Sequence, residues 1–308
     1  MNPKIPKVTV GLAFYNPGAD FELAIKSVFA QTFTDWEFIL VDDGSNDGSL
    51  EFAQSIDDPR VRVLSDGKNV GASIRMNEVI AAAQTAYLIR MDADDILHPQ
   101  RVEIQYAELL KHGNEAIVGS STYSIDTKSQ VMGFTPSKQF QAFGYAARHN
   151  LVQPTVSASI EWFLKHPYSK DWVYRRCEDA ELWCRASVDS KYINIETPLV
   201  YYREVGNYSL KKQIATYFGL FNIIYDHHFQ QPWHFSLLMG KELLRLFIIS
   251  TLTALGKSDW FVSRRYRPLT SDQKLHAEDG LAIVHNQVLP VVAKKSVVSA
   301  QDSSNLPQ

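Results

Sequence analysis

Four short apolar or β-branched runs, at residues 8–14, 37–41, 61–64 and 87–91, alternate with segments of helical period at 21–31, 50–55 and 72–84. No other feature narrows the fold as much. Strands separated by helices need crossover connections, and crossovers build a mostly parallel sheet covered by helices on both faces. Such sheets bind ligands beyond the carboxyl ends of their strands. Two of the four runs end there in acid, as Val41-Asp42-Asp43-Gly44-Ser45 and as Asp92-Ala93-Asp94-Asp95.

In an extended segment Asp92 and Asp94 point to the same side. Two carboxylates held together repel each other unless a cation lies between them, and magnesium or manganese, both hard oxygen-seeking ions, suits that place beside a diphosphate. The alternative is a solvated acidic loop. For Asp95 the expectation is plainer, a cap for the helix that opens near Pro99. At the other end, a carboxylate of Asp42 or Asp43 can accept hydrogen bonds from a nucleobase or ribose, or simply belong to a turn capped at Asp47 or Ser49.

Farther along, residues 99–112 read as a helix, 117–125 and 131–134 as strands joined by a polar turn, and 192–203 as extended. Beyond residue 206 the chain turns aromatic and helical, at 214–228 and 235–255. The expected organisation is therefore a catalytic unit over 1–206, divided into 1–98 and 99–206, a helical C-terminal extension over 207–289, and a loose tail from 290 to 308.

Composition excludes several classes. A net charge of -3 argues against broad capture of nucleic acid. Cys177 and Cys184 are too few for a disulfide framework or a four-thiolate zinc site and are expected to pack in a reducing compartment. The N-terminus reads as a first strand and not as a signal peptide. The most apolar later stretch, 246–256, falls short of the roughly twenty residues that span a bilayer. No Gly-x-Gly-x-x-Gly follows the first strand, and no Walker lysine motif occurs.

Taken in order, Phe14-Tyr15-Asn16, Val41-Asp42-Asp43-Gly44-Ser45, Asn69-Val70-Gly71 with Arg75 and Asn77, and Asp92-Ala93-Asp94-Asp95 resemble the donor-site motifs of family 2 inverting glycosyltransferases with the GT-A fold. That resemblance implies a nucleotide diphosphate sugar donor, a uridine diphosphate sugar first among them, and a divalent manganese or magnesium ion. It implies that Ala13, Tyr15 and Asp43 line the nucleoside pocket, that Arg75 faces the nucleotide, that Asp92 lies near ribose or metal, and that Asp94 ligates the metal. A solvated helix position for Arg75 and a simple helix-entry turn for Asn69 and Gly71 are the plainer readings.

Cys177-Glu178-Asp179-Ala180-Glu181 resembles the family's acidic motif, which makes Asp179 the catalytic base and Glu178 its neighbour on the acceptor side. The same acids also suit the first turn of a helix that contains Leu182 and Trp183, and both readings hold together. Gln153-Pro154-Thr155 resembles a segment of the acceptor side and equally suits a proline turn before a strand. One departure is Tyr202-Arg203 followed by Glu204 and Val205, where the family commonly has histidine. Adjacent on a helix, His227 and His228 point apart and are not expected to share a ligand.

The resemblance further implies a glycan or lipid-linked glycan acceptor, surface polysaccharide synthesis, and a cytoplasmic site of action at the inner face of a membrane. The helix 235–255 is expected to pack, or to lie on the membrane with Lys241 and Arg245 near headgroups, reinforced by Arg264, Arg265 and Arg267. Two other functions stay open: a sugar-phosphate nucleotidyltransferase, although its glycine-rich, lysine-bearing entry loop is missing, and a non-catalytic binder of nucleotide sugars.

Overall fold

The computed structural model describes residues 6–137, 142–203, 210–228, 230, 232–256 and 266–292. The first half runs β1 (Val8–Phe14), α1 (Phe21–Phe29), β2 (Trp36–Asp42), α2 (Ser49–Gln54), β3 (Val61–Leu64), α3 (Ala72–Ala82) and β4 (Tyr87–Met91). Then come β5 (Ile96–Leu97), α4 (Arg101–His112), β6 (Ala116–Ile125), β7 (Val131–Thr135), β8 (Ser157–Ser159), α5 (Ile160–Lys165), α6 (Glu178–Ala186) and β9 (Lys191–Arg203). Helices α7 (Leu210–His228), α8 (Pro232–Ala254) and α9 (Ser271–His285) complete the described elements.

The sheet follows the order β3-β2-β1-β4-β8-β6-β9-β5, with β7 on β6. Parallel pairing is confined to β3-β2-β1-β4 and to β6-β9, and the remaining pairs are antiparallel. The parallel half is the one with helical crossovers, as the alternation requires. Its strands β1, β2 and β4 are buried on both faces, which is why they read as continuous apolar runs, whereas β3 at the rim is half-buried.

On one face α1 buries Phe21, Ala24, Ile25 and Val28, a helical stripe that joins Phe14, Trp36 and Phe38 in the core. Each large side chain so buried contributes roughly 1.5–3 kcal/mol. On the other face α3 presses Val79 onto β1, and a Cβ at Gly11 would meet Val79 Cγ1 at 2.5 Å. Glycine is needed there for close approach.

The C-terminal third divides. Helix α9 opens with a capping box between Thr270 and Gln273 and lies on the sheet: Tyr201 donates to Ala277 O at 2.8 Å, and His276 stacks on His98 with ring centroids 4.0 Å apart. After it, Val291 bridges Ile56, Asp57 N–H donates to Pro290 O at 2.6 Å and Val292 N–H to Ser55 O at 2.9 Å. The loose end expected from residue 290 is therefore fastened as far as Val292, because it satisfies backbone groups left open at the end of α2.

Helices α7 and α8 pack on each other and on residues 144–149 and 172–186. The outer side of α8 leaves Trp233 91%, Leu237 69% and Phe247 68% exposed. Among the described residues no helix is long and apolar enough to cross a membrane. Glu204, Val205, Arg264 and Arg265 lie outside the described residues.

Candidate active site

Strand register brings the acidic motifs together. Phe14 pairs with Asp42 and Leu12 with Met91, so β1, β2 and β4 end nearly flush and release their loops side by side. The first loop is stitched to the second: Asn16 N–H donates to Ser45 Oγ at 3.0 Å, Asn46 N–H to Asn16 Oδ1 at 2.8 Å, and Gly18 N–H to Asp47 Oδ2 at 3.0 Å. Asn16 takes a left-handed backbone (φ 46°), and Tyr15 beside it is 51% exposed, while Ala13 is half-buried in β1.

Asp42 and Asp43 face inwards. Asp42 accepts from Gly44 N–H, Ser45 N–H and the Ser65 hydroxyl, at 3.1, 2.9 and 2.8 Å. Burial pushes its pKa up, but the bonds from Ser45, Ser65 and Gly44 outweigh it and hold the group below the ordinary range. Asp43 Oδ1 accepts from Val70 N–H at 2.7 Å, Gly71 N–H at 3.1 Å and Arg75 Nε at 3.1 Å, and Asn69 Nδ2 donates to Asp43 O at 3.1 Å.

Arg75 completes this knot. It is 2% exposed and pairs with Glu78 at 2.8 Å as well as with Asp66, neither facing open space nor sitting in solvent as its helix position suggested. Asn77 on the same helix exchanges two hydrogen bonds with the backbone of Tyr168, at 2.9 and 3.0 Å, tying α3 to the loop before α6.

The other acidic end is built differently. Asp95 does not cap α4, whose N-cap is Gln100; its Oδ1 accepts from Arg203 N–H at 2.9 Å, while Oδ2 is buried with no partner among the described residues. Arg203 also donates to Asp94 O at 3.0 Å, so β9 fixes the 94–95 turn from behind. Asp92 pairs with Arg90 at 2.6 Å. Burial, followed by the neighbouring Asp92 charge, pushes the Asp94 pKa up to about 6.

Arg90 is a buried charge beside the acids that sequence reasoning misses. It points out of β4 into the interior, 6% exposed, with Nε and Nη1 unpartnered among the described residues. Burial opposes its charge, yet Asp92, Tyr168 and Asp179 around it keep the guanidinium protonated. A lone arginine in the apolar run 87–91 is the signal that marks it.

Glu178 and Asp179 occupy the first turn of α6, after Cys177 at its N-cap. Asp179 Oδ1 accepts from its neighbour Ala180 N–H at 2.8 Å, and Glu178 Oε2 is buried and unpartnered among the described residues. Burial, then Glu178, pushes the Asp179 pKa up to about 6, against the pull of Arg90. Burial also pushes both cysteine thiols up, so each packs as a neutral group.

Asp92, Asp94 and Asp179 line one cavity of about 1660 Å³ that reaches across to α7 and α8. Ala13, Tyr15, Asp43, Asn69, Gly71 and Arg75 gather instead at the ends of β1 and β2 and on the turn into α3, outside that lining. Asp92 and Asp94 fit a hard divalent cation in their chemistry: both offer carboxylate oxygens, and both line the same cavity. Among the described residues no three acid, histidine or cysteine side chains cluster as a complete metal cage.

Known proteins resemble the chain in both sequence and fold. The family model described as glycosyl transferase family 2 matches residues 9–170. The Bacillus subtilis protein EpsE, which bears a provisional glycosyltransferase name, is 28% identical over 220 residues, 69% of this chain and 78% of that protein. The succinoglycan biosynthesis protein ExoO of Rhizobium meliloti is 30% identical over 165 residues, 52% of this chain and 45% of that protein. In fold the chain is similar to S. aureus TarS 1-349 solved with UDP, with TM-score 0.58 and 14% identity over 90% of this chain and 80% of that one.

Proposed function

Because the chain belongs to glycosyl transferase family 2 and has the GT-A fold, we propose that it is an inverting transferase moving a sugar from a nucleotide diphosphate to an acceptor hydroxyl. The observation that carries this reading is the single cavity lined by Asp92, Asp94 and Asp179. Asp179 takes the acceptor proton, and the freed oxygen attacks the anomeric carbon from the face opposite the diphosphate. The bond from that carbon to the diphosphate oxygen breaks as the new one forms, which inverts the configuration. A carboxylate with its pKa near 6 is a stronger base than an ordinary aspartate and is still ionised at neutral pH.

Arg90 orients Asp92 and balances the charge of both carboxylate groups from within the sheet. Glu178 raises the basicity of Asp179. Asp94 and Asp92 would hold a manganese or magnesium ion, which when bound supplies positive charge to the departing diphosphate. The exposed ring of Tyr15, beside the knot made by Asp43, Asn69, Gly71 and Arg75, offers the nucleobase a stacking surface.

The donor in this proposal is a uridine diphosphate sugar, supported by a similar fold whose structure was solved with UDP. The acceptor is a glycan or lipid-linked glycan of a surface polysaccharide, supported by the succinoglycan relative. Peripheral membrane contact at an inner, cytoplasmic face belongs to the same reading, supported by exposed Trp233, Leu237 and Phe247 on the helix that carries Lys241 and Arg245.

Thermal shift with uridine, guanosine and thymidine diphosphate sugars, each with and without manganese, tests the donor site, since a ligand stabilises the native state by mass action. Stabilisation by one donor that needs the metal and vanishes in Asp94→Ala is the expected result. Unchanged turnover in Asp94→Ala would overturn the reading.

A further inference from the structure

The lining of the same cavity also carries positive charge that the transfer step leaves unused. Four elements each present a cation to it: Arg176 directly before α6, Lys212 on α7, Arg245 on α8, and Arg267 in the stretch bridged to β7. Arg148 lines it too, but there one buried carboxylate serves two guanidiniums, with Glu242 Oε1 2.9 Å from Arg148 and 2.8 Å from Arg245. That trio keeps a net positive charge.

Arg176 and Arg267 are exposed, and neither guanidinium has a hydrogen bond or ion pair among the described residues. Arg176 is held in the left-handed region (φ 73°), a backbone conformation that costs a non-glycine residue on the order of 1 kcal/mol or more. The same lining also includes polar side chains such as Ser137 and Thr135 among apolar ones such as Leu220, Ile248 and Ile249. Among the described residues the acids of the lining are Asp92, Asp94 and Asp179, which the transfer step uses, and the shared Glu242.

We infer that the acceptor is anionic, a glycan bearing phosphate or carboxylate groups that Arg176 and Arg267 grip while its hydroxyl lies at Asp179. Lys212 and Arg245 add to the field that draws it in. This rests on the transferase reading and deepens it. Guanidinium is the group for the task, because it binds phosphate and carboxylate through two parallel hydrogen bonds.

Binding of three soluble probes to the full chain tests it: a glycerol phosphate oligomer, a uronic acid oligosaccharide and a neutral maltooligosaccharide, each titrated by calorimetry at low and high salt. Vesicles of phosphatidylglycerol form a fourth arm. Wild type is expected to bind at least one soluble anionic probe, more weakly as salt rises, and to bind the neutral one poorly. Arg176→Gln and Arg267→Gln should each weaken the anion by about tenfold, and Arg176→Lys by less.

UDP binding, followed by thermal shift, should stay unchanged in these variants, which also shows that they fold. The inference fails if the neutral probe binds as well as the anions, if both Gln variants bind the anions like wild type, or if only the vesicles bind. It also fails if the variants weaken UDP, since the cations would then serve the donor. Absence of UDP binding in wild type would instead sink the transferase reading beneath it.

Discussion

The carboxyl end of β2 and the acid-lined cavity carry two sets of aspartates that behave in opposite ways. At the end of β2, Asp42 is completely buried yet kept below the usual carboxylate range, because Gly44, Ser45 and Ser65 all donate to it. Within the cavity, Asp94 and Asp179 are pushed up to about 6, with few donors and another acid beside each. Burial pushes upward in both places, so the supply of donors decides the sign. A carboxylate whose bonds are all made holds a loop in place, whereas one short of partners is left to take a proton or a cation.

The largest expected effect breaks the comparison at Asp179. Asp179→Asn should lower kcat by about 10² to 10⁴ fold, the usual contribution of a positioned base, while UDP binding survives. Between the ordinary value of 3.8 and the folded value of about 6 the native state binds more protons than the unfolded one. Wild-type stability therefore falls as pH rises through that window. Asp179→Asn removes this liability and should unfold at a higher temperature than wild type at pH 8, and a lower one would contradict the contrast.

Asp42→Ala should do the reverse. It orphans donors that now point at a buried carboxylate, and chemical denaturation at pH 7 should find a loss of about 2 kcal/mol. A depressed pKa contributes stability that is present above 3.8 and lost as pH falls through the lower folded value. The gap between wild type and Asp42→Ala should therefore narrow in acid, and a gap that stays constant down to pH 3 would mean that Asp42 acts through packing alone.

Smaller still is the pH dependence of wild-type kcat/KM, which should climb from acid to neutral through an apparent pKa near 6. A limb near 4 would return Asp179 to the company of ordinary aspartates. Smallest is Tyr15→Ala: loss of a stacked, exposed ring should weaken UDP by about tenfold and leave the unfolding temperature unchanged.

The parallel half of the fold is legible because its inner strands are buried on both faces and its helices must cross over; runs such as 8–14 and 87–91 are marked by composition alone. Other elements are not. Strands β5 and β8 are two and three residues long, too short for any period to register. Asp95 pairs with Arg203 from more than a hundred positions away, and nothing local announces it, so capping is the natural local guess. Helix α9 does carry a local mark, the Thr270–Gln273 capping box, although its apolar stripe is faint. Within the site, proximity in sequence reveals the acid pairs, and only the folded chain reveals that Arg90 lies among Asp92, Tyr168 and Asp179.

The bridge between Ile56 and Val291 also governs the order of events during synthesis. A growing chain that has emitted α2 cannot close its rim until residue 291 leaves the ribosome, on the order of tens of seconds later at ordinary translation speeds. In that interval Ile56 and the open backbone groups at Ser55 and Asp57 wait unprotected. A nascent polypeptide of this design depends on a late-made turn to seal its early-made layers, so chaperones and proteases have their longest access to the parallel half of the sheet.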